Sequence, residues 1–175
     1  MRAVVTMFLA MFAAISLAQG PTAGFEILRI KRQSVKVPSG PVTRSGETEP
    51  QLDIEFVNTL STTNTFEVEV IFIGVREGSA PYMFIRKLLR FPVSLAPLER
   101  GNISANSIVW YDTHHEHNAV FPVGKNDNNQ PKGWIVRAIR DGEVIKLEAS
   151  GAAMRRLAEP ETISALLAGG KIPAK

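Results

Sequence analysis

The chain of 175 residues contains no cysteine. Disulfides and thiolate metal sites are therefore excluded, and any fold must be held by its core alone. Histidine is scarce: three in all, within the window His114 to His117. A serine triad would have to draw its base from that tract, and no serine lies in a nucleophile-elbow sequence. Aromatic residues make up 7%. Charge of one sign is not in excess either. The formal net charge is +3 and falls to +2 if the first eighteen residues, which hold only Arg2, are removed. That balance gives no electrostatic footprint for nucleic acid and no basic face for a membrane. After residue 18 no apolar run reaches about 18 residues, so no transmembrane anchor is expected there.

What is present begins at the start of the sequence. Met1-Arg2 is a short basic opening, Ala3 to Leu17 is almost wholly apolar, and Ser16-Leu17-Ala18 offers small residues to a signal peptidase. The pattern predicts a secretory signal peptide over residues 1–18 and a single domain over 19–175. The expected address is the periplasm, the cell surface or the medium.

From Phe25 onward, short apolar runs alternate with turn residues, as in an all-β domain. FEILRIKR (residues 25–32) reads as a strand whose apolar parity shifts between Ile27 and Leu28, which predicts either a bulge or two partly buried faces. Pro38 to Pro50 is rich in Pro, Gly and hydroxyls and reads as a loop. Leu52, Ile54 and Phe56 share one face of a strand, with Asp53 and Glu55 on the other. FEVEVIFIGV (66–75) places Phe66, Val68, Val70 and Phe72 on one face. Its other face is wet at Glu67 and Glu69 but apolar at Ile71, Ile73 and Val75, so a loop, a helix or a partner must cover that end.

Residues 82–91, YMFIRKLLRF, satisfy both a helix and a strand pattern; the preceding turn favours a strand. Ile103 to Tyr111 reads as a further strand. Trp134 to Arg140 and Glu143 to Ala149 flank Asp141-Gly142, the strongest hairpin signal in the chain. The tail, about 152–168, has helical spacing, with Pro160 suited to a first turn and Gly169 to a stop. About seven strands and a short C-terminal helix predict a mainly β, two-sheet sandwich of immunoglobulin type. Its expected aromatic anchors are Phe56, Phe66, Phe72, Trp110 and Trp134.

The candidate sites are few. His114, His115, Glu116 and His117 carry ligand chemistry for zinc, copper or nickel, and in an extended segment His115 and His117 point the same way. A short tract of this kind is also common as a solvated loop that gains charge near pH 6. The oxygen-rich segment Lys125 to Gln130 lacks the spacing of a calcium loop. Asn102-Ile103-Ser104 matches a glycosylation sequon. Arg86, Lys87 and Arg90 form a small basic patch which, with Ile71, Ile73 and Val75, is a candidate partner-binding surface.

The strand pattern, the absence of cysteine, the leader, and GWIVRAIRDGEVIKLEAS (133–150) followed by a helix resemble small secreted immunoglobulin-like proteins of gut bacteria. Some of those are encoded beside type IV pilus components. The resemblance covers most of residues 19–175 by pattern, with Gly133 to Leu147 the most distinctive stretch, and carries over no functional residues. It implies a non-enzymatic binding or structural module, in a pilus-linked or adhesive assembly, whose partners are an envelope or pilus protein, a host glycan or a second copy. The alternative from the residues themselves is a periplasmic metal-binding protein or small metalloenzyme using His114 to His117. Apart from that ion, no cofactor is expected.

Overall fold

The computed structural model describes residues 24–36, 48–76, 79–107 and 129–174. Residues 1–18, expected to be a leader, the His tract, Trp110 and the segment 125–128 lie outside these residues.

The architecture is a β-sandwich with a helical layer. Strands β1 (Phe25–Lys36), β2 (Thr48–Asn58), β3 (Asn64–Arg76), β4 (Tyr82–Leu95), β5 (Arg100–Asn106), β6 (Asn129–Arg140) and β7 (Glu143–Ala149) precede helices α1 (Ala152–Leu157) and α2 (Pro160–Leu167); a two-residue strand, β8 (Ile172–Pro173), follows. One sheet has the order β1-β2-β5, the other β7-β6-β3-β4-β8. All pairings are antiparallel. Separation of the first, second and fifth strands from the third, sixth and seventh is the immunoglobulin-type arrangement, with the fourth strand added beside the third.

Alternation builds the interface between the sheets. Leu52, Ile54 and Phe56 of β2, with Ile103 and Ala105 of β5, meet Phe66, Val68, Val70 and Phe72 of β3, Leu95 of β4, and Val136 and Ala138 of β6. Phe25 stacks on Phe66 at 4.6 Å between ring centroids, and Phe56 meets Phe66 edge-on at 6.0 Å. Trp134 packs against this core half-buried. Of the two alternatives for β1, the bulge is present, as a register shift between Ile27 and Arg29. Residues 82–91 are strand, and β4 runs on to Leu95 through Pro92, which lies opposite Glu67. The hairpin turn is as predicted: Asp141 and Gly142 both have positive φ, 53° and 82°, the geometry that an Asp-Gly turn accommodates.

A second apolar cluster lies on the far face of the five-stranded sheet. Ile71 and Ile73 of β3, Ile85 and Leu88 of β4 and Ile135 of β6 meet Met154, Leu157, Ile163 and Leu166 of the helices. The tail is thus two helices rather than one, broken at Ala158-Glu159 before Pro160, which starts α2 at its first turn. Gly169, at φ 84°, follows α2. Gly133 makes close apposition of α1 possible, since a Cβ there would sit 2.6 Å from Met154 Cγ.

Candidate functional site

The helices decide the fate of the expected partner surface. Ile71 and Ile73 have no solvent exposure because α1 and α2 cover them. Their apolar surplus is satisfied within the chain, which corrects the expectation that they await a partner. Val75, nearer the end of β3, is half-buried. The basic patch is also taken apart. A register shift between Phe72 and Ile73 leaves Arg86 as an extra residue in β4, so Arg86 and Lys87 turn together toward the three-stranded sheet. Arg86 pairs with Glu49 of β2, and Lys87 Nζ donates to Asn106 Oδ1 of β5 at 3.1 Å. Arg90 points to the opposite face and donates from Nε to Glu69 at 2.9 Å. His114, His115, Glu116 and His117 lie outside the described residues. Among the described residues no cluster of three potential metal ligands occurs, and no helix is long and apolar enough to cross a membrane.

Three polar constellations among the described residues involve several ionisable side chains. The first is the carboxylate of Glu69, 2% exposed, gripped by Arg137 through Nε at 2.9 Å and through Nη2, with Arg90 above. Burial of a carboxylate is tolerable only with such pairing. The second joins the two sheets at the end of the sandwich where β2 begins and β5 ends. Glu49 accepts from Arg86 and from Ser107 Oγ at 2.6 Å, and Ser107 N donates to Pro50 O at 3.0 Å. Burial holds the Lys87 ammonium below the ordinary lysine pKa; the Arg86 charge acts the same way and Glu49 opposes.

The third is the outer face of the three-stranded sheet. Arg29 lies opposite Glu55, Lys31 opposite Asp53 and Gln33 opposite Gln51; across the sheet, Glu55 faces Asn102 and Asp53 faces Ser104. Glu55 sits between Arg29 at 3.6 Å and Arg100 at 3.5 Å, both arginine side chains about 70% exposed. Asp53 accepts from Ser104 Oγ at 2.7 Å, from Gln51 Nε2 at 3.1 Å and from Gln33. The Ser104 hydroxyl, then the Gln51 amide, hold the Asp53 carboxyl below its ordinary value; Gln33 and the Lys31 charge add to this. A shallow depression of ≈ 290 Å³ is lined by Arg29, Asp53, Ile54, Glu55, Arg100, Gly101 and Asn102. The sequence placed Asp53 and Glu55 on a wet face but not their neighbours. Pairing register, which brings residues about 25 and 50 positions away in the chain alongside them, is not written in local periodicity.

No protein-family model matches the chain, and no curated protein matches it. Three solved structures show weak likeness. A beta-D-glucoside glucohydrolase from Trichoderma reesei matches 71% of this chain and 18% of its own at 15% identity and TM-score 0.36. Beta-glucosidase D2-BGL from Chaetomella raphigera matches 71% and 18% at 12% identity and TM-score 0.37. A protein from Akkermansia muciniphila matches 73% and 72% at 9% identity and TM-score 0.32. The chain therefore spans less than a fifth of the two glucosidase chains. At these scores none of the three carries an argument about the site.

Proposed function

We propose that the chain is a non-enzymatic binding module of the cell envelope or its exterior, and that it binds through the outer face of the three-stranded sheet. The observation that carries this reading is the state of that face. It is a two-dimensional array of polar side chains, Arg29, Lys31 and Gln33 beside Gln51, Asp53 and Glu55 beside Arg100, Asn102 and Ser104. Its two arginines are largely exposed and, among the described residues, held by long contacts to a shared carboxylate. Arginine in that condition keeps planar, multivalent donor capacity for a partner at little cost in broken pairs. The fit is to a polar partner of mixed or acidic character: an envelope or pilus protein, or a host glycan. The apolar leader at the start of the sequence supplies the compartment in this reading.

The test uses residues 19–175, captured on an envelope protein extract and on immobilised mucin-type glycoprotein, with light scattering to follow self-association. Retention on one of the two surfaces, or a discrete oligomer, is the expected result. A monomer retained by neither contradicts the reading.

A further inference from the structure

The cluster joining the sheets sets a lysine against an asparagine amide. Lys87 of β4 reaches across from the five-stranded sheet and places Nζ 3.1 Å from Asn106 Oδ1 of β5 in the three-stranded sheet. Lysine has no acceptor, so the atom it meets is the carbonyl oxygen, and the carbonyl carbon lies one bond further on. The chain neighbours of both residues grip one carboxylate. Arg86, next to Lys87, and Ser107, next to Asn106, both donate to Glu49, which is 8% exposed. Ser107, Ala105 and Ile85 around it are buried.

We propose that Lys87 and Asn106 condense to an intramolecular amide that ties the two sheets together, with Glu49 as the proton carrier. The Nζ lone pair attacks Cγ of Asn106 and the Nζ–Cγ bond forms. Glu49 takes a proton from the attacking nitrogen and delivers it to Nδ2. The Cγ–Nδ2 bond breaks and ammonia leaves, so the product is one secondary amide and no oxidant or cofactor is consumed. The attack needs a neutral amine. Burial, then the adjacent guanidinium of Arg86, favour that form against the opposing charge of Glu49, while Arg86 and Ser107 fix the carboxylate by charge-assisted hydrogen bonds. Apposition of the partners by the two strands keeps Nζ on the Asn106 amide, with Cγ one bond beyond the oxygen it meets, and holding reactants together in this way makes the step effectively unimolecular. The bulge at Arg86 is the local device responsible, because without it Arg86 and Lys87 would face opposite sides of β4.

The experiment is a peptide map of the folded, purified chain. Trypsin is blocked at an acylated lysine, so the cross-link yields a branched peptide, Lys87 to Arg90 joined to Gly101 to Lys125, lighter by one ammonia than its two parts. The expected result is that branched peptide in the wild-type chain and its loss in Lys87→Arg and Asn106→Ala. Glu49→Gln should slow its appearance at least tenfold, with the fold checked by circular dichroism. Intact mass alone is insufficient, because cyclisation of an N-terminal Gln19 also releases ammonia; that loss would persist in Lys87→Arg. The proposal is overturned if the wild-type chain, aged for days at neutral pH, gives only the linear peptide from Gly101 to Lys125 and a cleaved Lys87. It is equally overturned if the branched peptide arises at the same rate in Glu49→Gln.

Discussion

The two sheets carry acidic residues on their outward faces in the same alternating pattern, Asp53 and Glu55 on β2, Glu67 and Glu69 on β3, and treat them differently. On the three-stranded sheet Glu55 is bridged by two exposed arginines and Asp53 is held by Ser104, Gln51 and Gln33. On the five-stranded sheet Glu69 is 2% exposed and bound by Arg137, itself nearly buried. The cause lies in what stands above each face. Two helices close over Ile71 and Ile73, and the ion pair lies along the same strands just beyond them. Among the described residues, the helices thus pack on the five-stranded sheet and not on the three-stranded one. Identical period-2 patterns do not announce which fate applies.

This contrast can be broken by substitution, in order of expected effect. Arg137→Leu leaves a buried carboxylate short of its main partner and should cost about 3–5 kcal/mol in denaturant unfolding. Replacing the pair together, Glu69→Met with Arg137→Leu, should recover most of that loss. Leu166→Ala, which empties the contact of α2 with the five-stranded sheet, should cost about 3 kcal/mol and raise dye binding as Ile71 and Ile73 become reachable. Gly133→Ala forces a methyl against Ser150 Oγ and Met154 and should cost about 1–3 kcal/mol, with α1 shifted in its chemical shifts. On the other sheet, Glu55→Gln should change stability by less than about 1 kcal/mol, because its partners are exposed. A loss there as large as that from Arg137→Leu would erase the distinction.

Acid sharpens the comparison further. The Asp53 carboxyl is held below its ordinary value of 3.8, chiefly by Ser104. The unfolded chain therefore takes up this proton at a higher pH than the folded one. The stabilisation from Asp53 is complete above the unfolded value and is lost as pH falls through the depressed folded value. Unfolding midpoints followed downward from pH 5 should show a slope that flattens in Asp53→Asn and is reduced in Ser104→Ala.

Much of this architecture was legible in the residues. Clean alternation in Leu52 to Phe56 and in Phe66 to Phe72 marked the core face, the parity break at Leu28 marked a bulge, and Asp141-Gly142 marked the hairpin. Pro160 and Gly169 bounded the last helix, and Pro160 also marks the interruption before it, since it drives Glu159 out of the helical region to ψ 140°; the helical spacing on either side of that proline was read as one element. The apolar surplus on β3 was visible as an unmet need. That the chain's own tail meets it is a long-range fact that local pattern does not hold. The basic patch failed for a related reason. Arg86, Lys87 and Arg90 are neighbours in sequence, yet one extra residue in β4 sends the first two inward and the third outward. The outer face of the three-stranded sheet was half legible, since its acids were placed and their cross-strand companions were not.

The reading of that face stands or falls on charge reversal. Arg29→Glu with Arg100→Glu should leave the chain folded, because both side chains are largely exposed, and the surface-plasmon response on whichever captured envelope protein or glycoprotein retains the wild-type chain should fall at least tenfold. An undiminished response from the folded double variant would contradict the assignment of the three-stranded sheet as the binding surface.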